Sequence, residues 1–145
     1  AQRRFPWHTH RLSAASWARD KSYAAGRPHV HHVFLDEDDT ILYASDLGLD
    51  VVNAYNVDYS TGTLTLIPDL CLHIQPGRGP RSMAVNPSGT YLYLTTEMGC
   101  TCIVYKKSGL TWKPIQEIST VPKDISCSNI TAEASLSRME AFICV

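Results

Sequence analysis

No apolar run in the 145 residues approaches the roughly 20 that a membrane-spanning helix needs. Excess positive charge is missing too. Thirteen Lys and Arg stand against 14 Asp and Glu, a formal net charge of −1. That balance argues against nucleic acid or a membrane surface as a partner. Lys and Arg are absent from residues 28–77, which hold eight acids, whereas residues 1–35 hold six Lys and Arg and one acid. There is no C-x-x-C. The five cysteines (Cys71, Cys100, Cys102, Cys127 and Cys144) fit neither a zinc ribbon nor an even disulfide set. They are expected to be reduced structural thiols in a cytoplasmic protein. With no secretory signal expected, the Asn-Ile-Thr sequon at 129–131 reads as a chance match. The first residue is not Met. Residues 1–25, rich in Arg, Ser and Ala, are expected to be the end of a fragment, a transit-like segment being the alternative. His8 and His10 are taken as bystanders there. No long helical period runs through residues 28–122.

A repeat is present instead. Residues 31–57, "HHVFLDEDDTILYASDLGLDVVNAYNV", lie without a gap over residues 81–107, "RSMAVNPSGTYLYLTTEMGCTCIVYKK", at a period of fifty. Each copy has a short apolar strand (Val33–Leu35, Met83–Val85) and then a polar turn ("DEDDT", "NPSGT"). A β-rich run follows, then a loop, then a strand ending in Tyr55 or Tyr105. "STGTLTLIP" and "SGLTWKPIQEI" each enter a further strand. A degraded third copy, "AEASLSRMEAFICV", puts Leu136 where Leu35 and Val85 stand. Four short antiparallel strands per 40–50 residues is the unit of a propeller blade. The expected fold class is therefore all-β. It is a β-propeller fragment of two complete four-stranded blades plus part of a third, over residues 26–145, with 1–25 a separate segment. A sandwich or small barrel explains the alternation but not the register. Open blade edges predict self-association.

The histidines raise the question of function. "PHVHH" places His29, His31 and His32 at the mouth of an apolar run. Metal binding, catalysis and plain strand packing all compete for them. Alternation puts His29 and His31 on one strand face and His32 on the other, with no third ligand close by, so no metal is expected. In a blade, strand one lines the channel and strand two runs back beside it. His31 opens strand one of the first repeat, Arg81 opens strand one of the next, and Glu97 follows strand two. The register therefore converges all three at one channel mouth. An imidazole activates water near neutral pH. A guanidinium holds an anion or an oxyanion. A carboxylic acid assists proton transfer.

"PHVHHVFLDEDDTILYASDLGLDVVNAYNVDYSTGTL" followed by "GRGPRSMAVNPSGTYLYLTTE" resembles the seven-bladed propeller lactonases. These comprise the propeller-type 6-phosphogluconolactonases and the carboxy-cis,cis-muconate lactonizing enzymes. The resemblance implies seven four-stranded blades and a lactone-handling channel mouth. It carries the family's site His onto His31, its "GPR" Arg onto Arg81 and its Glu after "YLY" onto Glu97. It implies no metal or organic cofactor, and a small anionic lactone as partner. The family's third copy runs on to an Asn-Arg pair that would fall beyond Val145, and "RME" at 138–140 departs from its Pro-Asp-Gly turn. The leading expectation is hydrolysis of a sugar-acid lactone, with 6-phosphogluconolactone first among substrates. A non-catalytic binding or scaffold module and a muconate-type cycloisomerase are the alternatives.

Overall fold

The structure, a computed structural model, describes residues 26–124, 129–136 and 142–144. The expectations for residues 1–25, for Cys127 and for the turn at 138–140 lie outside the described residues. Strands β1 (Val30–Leu35), β2 (Ile41–Asp46), β3 (Val51–Asp58) and β4 (Thr63–Leu66) form one antiparallel meander. A 3-10 turn at Pro68–Leu70 breaks its outer edge, and β5 (Leu72–His73) then pairs with the start of β3. The short β5 is not marked in the sequence pattern. Strands β6 (Pro80–Val85), β7 (Tyr91–Thr96), β8 (Thr101–Ser108) and β9 (Thr111–Ser119) form the second meander. Strands β10 (Ala134–Leu136) and β11 (Phe142–Cys144) begin a third. The fold is all-β and is a fragment of a propeller: two blades and the start of another. Separate side-by-side meanders replace the sandwich or barrel.

The period of fifty extends to single hydrogen bonds. Asp36 Oδ1 accepts the N–H groups of Thr40 (2.8 Å) and Ile41 (2.9 Å). Asn86 Oδ1 does the same for Thr90 (2.9 Å) and Tyr91 (2.8 Å). These side chains mimic a backbone acceptor inside the turn. Asp39 (φ 56°) and Gly89 (φ 66°) both take the left-handed conformation that the turn requires. A Cβ on Gly89 would sit 2.9 Å from the mobile end of the exposed Glu37 side chain of the first blade, so the φ is what calls for glycine there. At the other ends of the same strands, Leu47 N–H donates to His29 O (2.9 Å) and Glu97 N–H to Gly79 O (2.8 Å). The third copy keeps the plan, since Leu136 pairs with Phe142 as Leu35 pairs with Leu42 and Val85 with Leu92.

Strand alternation sends one side of each sheet to the junction between the blades. Tyr43, Val52 and Ala54 of the first blade form one core cluster with Met83, Leu92, Leu94, Tyr105 and Trp112 of the second. Phe34 stacks on Tyr43 beside it, ring centroids 5.0 Å apart. Leu92 and Leu94 are fully buried, and burial of such a side chain contributes about 1.5–3 kcal/mol. Leu70, Leu72 and Ile74, from the broken outer edge, close the cluster. The opposite side of the first blade is different. Val33 is 52% exposed where its counterpart fifty residues on, Met83, is 4% exposed. Leu35, Leu64 and Leu66 are exposed on the same side. The two blades thus repeat one structure, but the outward side of the first blade leaves Val33, Leu35, Leu64 and Leu66 in solvent.

Candidate active site

His31 and Arg81 each occupy a β-bulge. Between the pairs Val30↔Asp46 and His32↔Ser45, strand β1 uses one residue more than β2. Between Pro80↔Thr96 and Met83↔Leu94, strand β6 uses one more than β7. An extra residue on one strand bends it and re-aims the side chain. The two bulges lie at the same register in adjacent blades, so both side chains turn toward the same rim of the inner strands. Bulges at these positions have no compositional signal in the sequence. A single inserted residue leaves the alternation on either side intact.

Glu97 follows β7 and closes the group. Its Oε2 lies 2.7 Å from Arg81 Nε, an ion pair with side chains 22% and 29% exposed. The N–H direction misses the carboxylate, which leaves the buried Nε without a hydrogen bond despite the short contact. The two charges pair directly, since 2.7 Å leaves no room for anything between them. The backbone fastens the pair, as Glu97 N–H donates to Gly79 O two residues before Arg81, and Glu97 O accepts from Thr131 N–H (3.2 Å).

The His31 imidazole sits within electrostatic reach of both partners. Its pKa is lowered from 6.5, first by burial, then by the Arg81 guanidinium and by His29, with Glu97 and Asp46 opposing. The ring is therefore held neutral near pH 7. His29 stacks on it, centroids 4.8 Å apart and planes 4° apart. His32 does not join them. It faces the other side of β1, where burial lowers its pKa against the opposing Glu133, and its Nδ1 has no hydrogen-bond partner. The structure thus brings His31, Arg81 and Glu97 together and leaves His32 in the packing.

Among the described residues no three His, Cys, Asp or Glu side chains converge as metal ligands. Cys71, Cys100 and Cys102 are free thiols. A cleft of about 360 Å³ lies at the opposite rim, between the turns that carry Glu37 and Gly89, and is lined by Phe34, Tyr43 and Trp112. It is lined by none of the three polar residues. A channel mouth is enclosed only by a whole ring of blades, so two blades present it as an open wall. Sequence reasoning assigned no task to Asp46 and Asp50 of "DLGLD". Both carboxylates bind backbone N–H groups at this same rim.

The sequence profile of the family described as "Lactonase, 7-bladed beta-propeller" matches residues 14–145. The chain is 30% identical over 103 residues to a 6-phosphogluconolactonase of Bacillus subtilis (strain 168), covering 69% of this chain and 28% of that protein. It is 25% identical over 112 residues to a 6-phosphogluconolactonase of Erwinia tasmaniensis, covering 77% and 34%. Among solved structures it is similar to the periplasmic gluconolactonase of Pseudomonas aeruginosa, with a TM-score of 0.73 and 26% identity, over 78% of this chain and 32% of that one. The chain spans about a third of the length of the curated relatives it matches.

Proposed function

Because the chain belongs to the seven-bladed β-propeller lactonase family, we propose that it supplies part of a channel mouth that hydrolyses the ester of a sugar-acid lactone. The names of its relatives favour 6-phosphogluconolactone as substrate, with the unphosphorylated gluconolactone next. The observation that supports this most is the neutral His31 imidazole beside the Arg81–Glu97 ion pair, on twin bulges of adjacent blades.

In this reading His31 takes a proton from water as the water oxygen attacks the lactone carbonyl carbon. The carbonyl oxygen becomes an oxyanion, and the Arg81 guanidinium stabilises it. The intermediate collapses with cleavage of the carbonyl-carbon to ring-oxygen bond. The departing ring oxygen takes back the proton held by His31. One lactone and one water give one open-chain hydroxy acid. The sequence suggested that Glu97 assists proton transfer. Its ion pair supports a different task, holding the guanidinium toward the mouth. No step needs a redox change or a metal.

The test is hydrolysis of 6-phosphogluconolactone and of glucono-δ-lactone by the protein that carries this chain, measured above spontaneous opening. His31→Ala and Arg81→Ala are each expected to lower kcat/KM by about 100-fold or more. Undiminished turnover in both variants would end the assignment. Absence of turnover in folded wild-type protein would favour the binding-module alternative.

A further inference from the structure

We propose that Asp46 and Asp50 are the positioning residues of the candidate site: each holds the backbone two residues ahead of one of its working side chains. The proposal rests on the lactonase reading above. Asp46 is 2% exposed, and its Oδ1 accepts the N–H groups of His29 (2.8 Å), Gly48 (3.1 Å) and Leu49 (3.1 Å). His29 stands two residues before His31. Asp50 uses both oxygens. Its Oδ2 accepts from Gly77 N–H and its Oδ1 from Gly79 N–H, each at 2.7 Å. Gly79 stands two residues before Arg81. Bonds to a carboxylate are short and strong, and two of them on separate oxygens fix orientation as well as distance.

The loop held by Asp50 is seated closely on both sides. A Cβ on Gly79 would lie 2.5 Å from Met98 Cε and 3.1 Å from Leu47 Cγ. The carbonyl of Arg78 accepts from Met98 (3.1 Å) and Gly99 (3.0 Å), next to Glu97. Asp50 thus ties the loop that leads into Arg81 to the first blade, while the loop itself is tied to the turn carrying Glu97.

The second repeat serves as an internal control. Fifty residues on from Asp46 and Asp50 stand Thr96 and Cys100. Cys100 keeps the backbone conformation, with φ 49° against 52° at Asp50. Its side chain does something else: Sγ donates to Asn129 O (3.1 Å), at the register of Gly79. Thr96 Oγ1 bonds locally to Thr101 Oγ1 (2.8 Å). A blade can therefore be built without either carboxylate. The acids occur in the repeat whose loop regions lead into His31 and Arg81, which is the pattern expected of positioning and not of blade architecture.

The experiment uses the full protein with Asp50→Cys and Asp46→Thr, each importing the residue that the second repeat already accommodates. Asp50→Asn, which keeps one acceptor oxygen, guards against a simple loss of fold. Asp50→Cys is expected to lower kcat/KM about 10- to 100-fold, as a small misplacement of a binding group does. In an Arg81→Ala background the same change is expected to cost less than about 2-fold, because the residue being positioned is gone. Equal losses in both backgrounds would overturn the proposal. A second readout is independent of turnover. The Arg81 Nε–H cross-peak in ¹H–¹⁵N spectra should move in Asp50→Cys but not in Asp46→Thr, whose effect should fall on the His31 ring. An unmoved Arg81 peak in folded Asp50→Cys would refute the positioning role even if the protein opens no lactone. Moved peaks without turnover would instead reject the lactonase reading alone.

Discussion

Met83 and Val33 occupy the same register in the two blades, so truncating each to Ala compares one position with and without a neighbouring blade. Met83 is 4% exposed and belongs to the core cluster at the junction. Met83→Ala removes a buried side chain where Leu92 and Leu94 cannot collapse fully into the space, a change that costs about 2–5 kcal/mol. Val33 is 52% exposed on the open side. Val33→Ala removes about two methylene equivalents, each contributing ~0.8 kcal/mol when fully buried. With half of that surface already in water, the loss should stay below about 1 kcal/mol. Urea unfolding followed by far-UV circular dichroism separates the two. With m near 2 kcal/mol/M, Met83→Ala should lower the midpoint by roughly 1–2.5 M and Val33→Ala by under 0.5 M, with unchanged m in both. Equal shifts in this 145-residue chain would refute the claim that the junction covers Met83 while Val33 lies open.

Three further outcomes follow from single residues. Asp36→Ala removes the acceptor of two turn N–H groups and should cost about 1–2 kcal/mol, measured by the same unfolding assay. The acid limb of kcat/KM should have its midpoint below 6.5, since burial and Arg81 depress the His31 pKa, and activity is lost as pH falls through that lowered value. Stability should move with the same sign. His31 and His32 are both depressed, so the unfolded chain binds protons more readily, and the stability present above pH 6.5 declines as pH drops toward their folded values. A ring-proton titration placing His31 at or above 6.5 would contradict the electrostatic account.

The repeat was legible because its turns impose local demands. A side-chain acceptor at Asp36 or Asn86 and a left-handed residue at Asp39 or Gly89 are short-range requirements, and they recur at a fixed spacing in "DEDDT" and "NPSGT". The convergence of His31, Arg81 and Glu97 followed from that register together with the up-and-down path of a blade. What the residues alone did not disclose is non-local. The bulges at His31 and Arg81 depend on how β2 and β7 pair, not on composition. The contacts of Asp46 with His29 and of Asp50 with Gly77 and Gly79 span 17 to 29 residues, so nothing local in "DLGLD" marks these carboxylates as holding distant backbone. The Arg81–Glu97 contact likewise changes the part that a free carboxylic acid at position 97 would be given.

The most direct test of the central claim is the binding position of the reaction product. A crystal structure of the whole protein soaked with the open-chain sugar acid should show its carboxylate at Arg81, on the His31 side of the Arg81–Glu97 pair. Density for the acid in the cleft at the far rim, against Trp112 and Phe34, with the mouth bearing His31 and Arg81 empty, would contradict the account.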